Sequence, residues 1–227
     1  MSRQATRVRR RAVGRGAPGR ERVPRAERER QMVAVATEIF ARRGYEASMD
    51  EIAAAAGITK PMLYSYFGSK EGLFAACTRS AAAGLREELQ GVVMKAGRPP
   101  DELFYAGVLA VFDFVEQNRE SWMVLYSEGG AAGGPFGTEA AEAREAMIEL
   151  LEALFRQVAA RRGVSAEALS HTRTLARALT AAMLSVASDW ARNPDEPKEL
   201  VALRFMNFAW MGFGDLLEGR LWLPHAP

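Results

Sequence analysis

The chain has 227 residues, of which 26% are charged and 48% are hydrophobic, a balance typical of folded domains that excludes a wholly disordered chain. Its formal net charge of +2 hides an uneven distribution. Residues 1–30 hold eleven Arg against three Glu, whereas residues 31–227 hold 19 basic and 25 acidic side chains. A basic end on a mildly acidic body predicts a polyanionic partner for that end.

The cysteine and histidine contents exclude several kinds of site. Cys77 is the single cysteine, so neither an intrachain disulfide nor a cysteine-based zinc site can form. His171 and His225 stand far apart, outside any metal-ligand spacing. The sequence contains no run of about 18 apolar residues, so no membrane-spanning helix is predicted. The basic N-terminus is not followed by the apolar segment that a signal peptide needs. We therefore expect a cytoplasmic protein without cofactor, metal or membrane partner.

The first predicted elements in chain order are a basic arm and an amphipathic helix. Residues 1–24 are rich in Arg, Gly and Pro and contain too few apolar side chains to offset the entropy of ordering, which predicts a disordered arm. From residue 25, apolar residues recur at steps of three and four, which predicts a helix that ends at Gly44.

Two short helices are predicted next. Ser48 and Glu51 form a capping box at the start of the first helix, and Thr59 can cap the second. Pro61 lies in the first turn of the second helix, where its missing N–H needs no partner. Because proline disfavours helical angles in the preceding residue, the helix could begin one residue away from Lys60.

The rest of the chain is predicted to be helical. Asn118 can cap one of these helices, Ser165 can cap another, and a glycine-rich loop at residues 129–137 interrupts the pattern. The predicted helices span about residues 70–91, 99–116, 119–126, 138–162, 165–192 and 197–218. No segment resembles a β-hairpin, so the predicted fold class is all-α.

The spacing between residues 49 and 68 is typical of a helix-turn-helix unit. Ala53 supplies a small residue where two helices cross, and Gly57, four positions later, supplies a residue tolerant of positive φ in the turn. Leu63 then supplies an apolar anchor for the second helix. Such a unit can place its second helix in the major groove of DNA.

These positions belong to a longer pattern. Its members are Ala36, Phe40, Gly44, Ser48, Ile52, Ala53, Ala56, Gly57, Ile58, Thr59, Leu63, Tyr64, Tyr66, Phe67, Lys70 and Leu73. With this pattern, residues 28–75 resemble the N-terminal domain of the tetracycline-repressor (TetR) family. The resemblance implies a three-helix DNA-binding domain at residues 25–75, a helical effector-binding and dimerisation domain at residues 76–227, and a homodimer that binds double-stranded DNA.

Seven residues are expected to contact DNA. They are Ser48, Thr59, Lys60, Pro61, Tyr64, Tyr66 and Lys70. Lys60 can donate to guanine, and Pro61 can pack on a thymine methyl group. The tyrosine hydroxyls can reach phosphates, and Lys70 can bind a phosphate at a helix N-terminus. The alternative interpretation is that Thr59 is only a cap and Lys70 only a solvated charge.

The C-terminal region contains candidate pocket residues. The apolar candidates are Phe104, Val108, Phe112, Trp122, Tyr126, Met147, Leu151 and Met183, and the polar anchors are Arg173 and Arg177. Met and aromatic side chains can line a pocket for an apolar effector, although each of them could equally belong to an ordinary core. The arginine pair, four residues apart on one helical face, could bind an anionic group or lie on a solvated surface.

The last two predicted helices are candidates for the dimer interface. One carries a stripe of small residues and the other an apolar face. The residues are Ala181, Ala182, Ser185 and Ser188 on the first helix, and Phe205, Phe208, Ala209, Gly212 and Phe213 on the second. Two helices from each chain could form a four-helix interface, or the same residues could pack within one chain.

Together these patterns predict a sequence-specific transcriptional regulator, more specifically a repressor that a small, largely apolar effector releases from a palindromic operator. The alternative is a low-specificity architectural DNA-binding protein that uses the Arg-rich arm. An enzyme is not expected, because the sequence has no G-x-S-x-G motif and no phosphate-binding glycine loop after a strand.

Overall fold

In a computed structural model, residues 24–93, 99–126, 137–162 and 172–217 are described, and nearly all of them lie in helices. The helices are α1 (Arg25–Arg43), α2 (Met49–Ala55), α3 (Lys60–Phe67), α4 (Lys70–Val93), α5 (Pro100–Gln117), α6 (Arg119–Leu125), α7 (Gly137–Arg162), α8 (Thr172–Arg192) and α9 (Lys198–Leu217), with a 3₁₀ turn at Gly44–Glu46. No strand occurs in these four ranges, so the predicted all-α fold is confirmed.

Several predictions lie outside the described residues. They concern the arm at residues 1–23, most of the glycine-rich loop, the Ser165 cap, His171, His225, and the side chains of Gly212 and Phe213. Within the described ranges, no helix is both long and apolar enough to cross a membrane.

The caps predicted for the two short helices form as hydrogen bonds. The hydroxyl oxygen of Ser48 accepts from the amide of Glu51 at 3.1 Å, and that of Thr59 accepts from the amide of Met62 at 3.4 Å. The Glu51 carboxylate lies 3.5 Å from the Arg43 guanidinium. Thr59 is the N-cap of α3, so the helix begins at Lys60. The start of the helix is therefore not displaced by Pro61.

The prediction that Asn118 caps the start of α6 is wrong. The Asn118 side chain makes no capping bond there. Its amide Nδ2 instead donates to the carbonyl oxygen of Phe114 at 3.3 Å, which also accepts from the Asn118 backbone amide at the end of α5. A single asparagine lies between the two helices, so its side chain can serve either helix end, and here it serves the preceding one.

The turn between α2 and α3 depends on glycine. Gly57 has a φ of +64°, in the left-handed region that side chains with a Cβ rarely adopt. Its amide and that of Ile58 donate to the carbonyl oxygens of Ala54 and Ala53, so the turn closes tightly after α2. This tight turn fixes the direction of α3 relative to α2.

A first core joins α1, α2, α3 and the start of α4. Its buried members are Met32, Val33, Ala36, Ile39, Phe40, Ala47, Met49, Ile52, Ala53, Leu63, Leu73, Phe74, Cys77 and Val124. Leu63 is fully buried and anchors α3 on this core. Burying a leucine in this way contributes about 1.5–3 kcal/mol, so the anchor holds the short α3 in place.

A second, larger core joins the rest of α4 to α5, α6, α7, α8 and α9, and α6 also belongs to the first core. On α6, Trp122 and Leu125 are buried in the second core, whereas Val124 between them is buried in the first. The indole Nε1 of Trp122 donates to the Ser188 hydroxyl on α8 at 3.2 Å. A rigid seven-residue helix thus packs into both cores at once.

Candidate nucleic-acid interface

The first part of α3 forms an exposed face on the side opposite to its anchor. Lys60, Pro61 and Tyr64 are all exposed, with 39% of Tyr64 accessible, and Leu63 between them is buried. A short helix anchored on a core and exposed at its N-terminal end can insert into a DNA major groove. The structure therefore brings three of the predicted contact residues onto one face.

Lys60 is held by an acidic neighbour that the sequence did not single out. Its Nζ atom lies 2.7 Å from Oδ2 of Asp50, which stands in the first turn of α2. The hydrogen bond from Lys60 and the negative charge of Asp50 raise the pKa of the Lys60 ammonium above its ordinary value. The ammonium is therefore fully charged at neutral pH, and its charge is compensated on one side.

Tyr66 lies on a different side of α3 from Tyr64. It is half-buried, and the Arg25 guanidinium stacks over its ring at 4.9 Å from the ring centre. Arg25 is the first residue of α1, so the cation–π contact ties the start of α1 to α3. The N-terminal end of α1 therefore lies beside α3.

Lys70 is positioned by Tyr45, a residue that sequence reasoning missed. The Lys70 ammonium lies 4.3 Å above the centre of the Tyr45 ring, and the Tyr45 hydroxyl donates to Glu71 at 2.7 Å. Burial, and then the bond to Glu71, raise the pKa of the Tyr45 hydroxyl. These contacts place Lys70 at the start of α4, beside the end of α3.

The hydroxyls of Ser48 and Thr59 already accept bonds from helix amides. A hydroxyl group has one proton to donate in addition to its acceptor lone pairs. Both residues are exposed, so each can cap its helix and still donate to a phosphate oxygen. The cap and the DNA contact are compatible roles for the same group.

A cavity of about 180 Å³ lies in the second core, between α4, α5, α7, α8 and α9. It is lined by Leu89, Val92, Leu103, Phe104, Gly107, Val108, Val111, Met147, Leu150, Leu151, Ala153, Leu154, Gln157, Leu179, Thr180, Met183 and Phe205. The lining includes five of the predicted pocket residues, namely Phe104, Val108, Met147, Leu151 and Met183. Gln157 and Thr180 supply its polar side chains.

The other five predicted pocket residues lie outside this lining. Phe112 and Trp122 are fully buried in the second core, and the half-buried Tyr126 contacts Trp122 in a tilted arrangement with ring centres 4.4 Å apart. Arg173 forms ion pairs with Glu145 and Glu152, and Arg177 lies 3.6 Å from Glu145. These ion pairs compensate both arginine charges and join α8 to α7.

A second cavity of about 150 Å³ adjoins the first between α4 and α7. The two cavities share Leu89, Met147 and Leu150 in their walls. Arg86 and Gln90, both exposed on α4, stand on the edge of the second cavity. The polar edge and the apolar interior therefore lie next to each other along α4.

The exposed side of α9 carries three large apolar residues among polar ones. Leu200, Leu203 and Phe208 are all exposed, and Phe208 is 70% accessible. On the neighbouring α8, Ala181 and Ser185 are also exposed. Of the other residues predicted for the interface, Phe205 and Ala209 are buried in the second core of the same chain, and Ala182 and Ser188 are half-buried.

The exposed α3, set on a glycine turn against α2 and joined to a larger helical body, defines a DNA-binding regulator of the helix-turn-helix class. Residues 33–77 match the family model described as "Bacterial regulatory proteins, tetR family", and residues 100–212 match that described as "Tetracyclin repressor-like, C-terminal domain". The chain belongs to the TetR family of transcriptional regulators.

Two relatives match nearly the whole of their own length. The HTH-type transcriptional activator FasR of Mycolicibacterium smegmatis is 31% identical over 93% of this chain and 96% of its own length. The crystal structure of a TetR-like transcriptional regulator from Rhodococcus sp. RHA1 has a TM-score of 0.70 at 34% identity, over 85% of this chain and 99% of that one.

The fold is also shared by a ligand-bound structure. The transcriptional regulator FadR from Bacillus subtilis, in complex with stearoyl-CoA, has a TM-score of 0.68 at 14% identity, over 79% of this chain and 96% of that one. At this identity the likeness concerns the fold. Within the described residues of this chain, no group of three or more His, Cys, Asp or Glu side chains could hold a metal ion.

Proposed function

We propose that this regulator binds a palindromic operator as a cytoplasmic homodimer and that a small, largely apolar effector releases it. The observation that carries the proposal is the apolar cavity. One of its walls is α4, whose first turns belong to the first core and whose later turns belong to the second. A ligand in such a cavity can shift the equilibrium between two arrangements of the DNA-binding helices. The population shift is limited to the ligand's difference in affinity for the two arrangements.

The effector best suited to the cavity is a hydrocarbon chain with one polar end. The first cavity offers nearly all apolar contacts, and Arg86 and Gln90 on the edge of the second offer polar ones. Together the two volumes reach the lower end of the range of about 300–1,000 Å³ found for ligand pockets. The stearoyl-CoA bound to the structurally similar FadR has this chemistry.

The coupling runs from the cavity wall to the first core through α6. Met147 lines the cavity, and its Sδ atom accepts a hydrogen bond from the Tyr126 hydroxyl at 3.7 Å. The Tyr126 ring in turn contacts that of Trp122, which stands two residues before Val124 in the first core. A ligand that displaces Met147 therefore moves a helix on which α1 and α4 also pack.

Homodimerisation is supported by the large apolar residues exposed on α9. Leu203 and Phe208 would be covered by the same face of a second chain, as expected for a two-fold interface. A dimer places two copies of α3 about 34–36 Å apart, one DNA turn, which matches a palindromic site. The small exposed Ala181 and Ser185 on α8 allow close approach of the partner helices.

We propose repression as the mode of control, since an operator that overlaps a promoter blocks polymerase. The relative FasR is named an activator, and the position of the operator relative to the promoter decides between these two outcomes. The protein itself supplies DNA binding and its control by ligand. A reporter gene with the operator placed within or upstream of the promoter distinguishes the two modes.

The test begins with selection of bound duplexes from a random DNA pool. We expect a palindromic consensus, and binding that persists in an excess of random DNA. Unselective binding would instead support an architectural protein. Stearoyl-CoA is then titrated against the operator complex, with coenzyme A as the control that lacks the chain. If neither this probe nor shorter acyl-CoA thioesters change DNA affinity, the C-terminal region serves dimerisation alone.

Deleting residues 1–24 is expected to make the salt dependence of DNA binding shallower. This segment holds eight Arg and one Glu, and the residue that follows it, Arg25, contacts Tyr66 on α3. Each phosphate neutralised by a basic side chain adds about 0.9 to the slope of log K against log salt concentration. The slope is measured by fluorescence anisotropy from 50 to 300 mM salt. An unchanged slope would show that the arm does not touch DNA.

A further inference from the structure

We propose that Asp50 is a specificity-determining residue, which withholds the Lys60 ammonium from DNA phosphates and directs it towards a guanine in the operator. The inference rests on the proposed function, because it concerns how α3 distinguishes an operator from other DNA. Its basis is the contact between a carboxylate on α2 and the first residue of α3.

Within residues 31–75, Lys60 makes the shortest ion pair given by the described side chains, and it lies on the exposed face of α3. Residues 31–75 contain four basic and five acidic side chains. Arg42 and Arg43 lie 3.8 and 3.5 Å from their carboxylate partners, whereas Lys60 lies 2.7 Å from Asp50. Both members of this pair are accessible, at 43% for the Lys60 side chain and 71% for that of Asp50. DNA that reaches α3 therefore meets the ammonium and the carboxylate together.

The carboxylate weakens the contact that all DNA sequences offer. Non-specific binding depends on basic side chains that neutralise phosphates and release counterions. A phosphate that approaches Lys60 is repelled by Asp50, and the ammonium must leave the carboxylate to neutralise it. Lys60 consequently adds little to binding of random DNA.

The same contact favours a base edge. A lysine ammonium has three N–H donors, and Asp50 occupies one of them. The remaining two can reach the O6 and N7 acceptors of guanine without breaking the contact with Asp50. Guanine acceptors carry no formal charge, so Asp50 repels them far less than it repels a phosphate. The pair thus discriminates between backbone and base.

The experiment compares Asp50→Asn with the wild-type full-length dimer on the selected duplex and on a scrambled duplex of equal length. We expect the variant to bind the scrambled duplex about tenfold more tightly than the wild type at 50 mM salt. The slope of log K against log salt concentration should be steeper by about 0.9. The affinity for the selected duplex should change less, so the specificity ratio falls. Thermal unfolding verifies that the variant is folded.

A matched control makes the same charge change at another ion pair. Glu38→Gln removes the partner of Arg42 on α1 and alters the net charge equally. If the two variants show equal increases in affinity for the scrambled duplex, the effect comes from net charge alone, and the inference is overturned. An Asp50→Asn variant with the wild-type affinities would overturn it as well.

The double variant Asp50→Asn, Lys60→Gln tests whether Asp50 acts through Lys60. The double variant should bind the scrambled duplex with the same affinity as the Lys60→Gln single variant. A gain that persists would show that Asp50 repels DNA directly, contrary to the inference. A wild-type protein that binds both duplexes equally would instead overturn the proposed function, which distinguishes that failure from a failure of the inference alone.

Discussion

Replacing Gly72 with alanine is expected to lower DNA affinity at least tenfold and the free energy of unfolding by about 3 kcal/mol. Gly72 lies in the first turn of α4, and a Cβ atom there would overlap the carbonyl oxygen of Phe67, the last residue of α3. Overpacking commonly costs about 1–3 kcal/mol, and the upper end applies here because the obstacle is backbone, which cannot rotate away.

The loss of DNA affinity follows from the same overlap. The Gly72 amide donates to the Ser69 hydroxyl at 3.1 Å, so the end of α3 and the start of α4 are closely tied. A Cβ at position 72 forces these two helices apart and turns the exposed face of α3 away from its position. Even a small rotation separates Lys60 and Tyr64 from the bases that they would contact.

Thermal unfolding and fluorescence anisotropy with the selected duplex measure both effects of Gly72→Ala. Gly91→Ala is the matched control, since it lies on the same helix and a Cβ there meets no heavy atom within 4 Å. Alanine favours a helix over glycine by up to about 1 kcal/mol, so this control should be slightly stabilised and bind DNA normally. Wild-type DNA affinity in Gly72→Ala would refute the proposed geometry of the junction.

The N-terminal helices could be predicted in detail because their determinants are local. Ser48 and Thr59 cap helices by bonding amides three residues ahead, and Gly57 permits a turn that other residues resist. Each of these rules spans a few residues and can be read along the chain. The burial of Leu63 follows from the same spacing. For this reason the exposed face of α3 was also correctly placed.

Partners that come from other helices could not be predicted. The spacing of Arg173 and Arg177 indicates a shared face, but their partners Glu145 and Glu152 lie on α7, more than 20 residues earlier. No local pattern shows which carboxylate will face them. The contact of Lys70 with Tyr45 likewise depends on how the 3₁₀ turn after α1 packs on α4.

The cavity shows a further limit of sequence patterns. Helical periodicity predicts which residues face a core, and Phe104, Phe112, Trp122 and Met147 all do. It does not predict where neighbouring side chains fail to fill the space between helices. Phe104 and Met147 border such a gap, whereas Phe112 and Trp122 are packed on all sides. Whether a side chain borders a gap depends on the volumes of side chains from five separate helices, which no single segment of sequence determines.

Replacing Gly107 with leucine is expected to abolish the response to effector and leave DNA binding intact. Gly107 lies in the cavity wall on α5, and an added Cβ meets no heavy atom within 4 Å. The leucine side chain therefore has room to extend into the 180 Å³ space that the effector needs. A hydrocarbon chain loses that volume and its apolar contacts, so effector affinity should fall at least 30-fold, about 2 kcal/mol.

The decisive comparison is between Gly107→Leu and Gly91→Leu, which makes the same change at an exposed position of α4 outside both cavities. Calorimetric titration with stearoyl-CoA measures effector binding, and anisotropy measures operator release. Because Gly107 belongs to the second core region and α3 to the first, operator affinity without effector should stay within about twofold of wild type for both variants. A Gly107→Leu protein that still releases DNA on addition of stearoyl-CoA would place the effector site elsewhere. A protein that no longer binds DNA at all would show that filling the cavity itself imposes the released arrangement, as a bound ligand would.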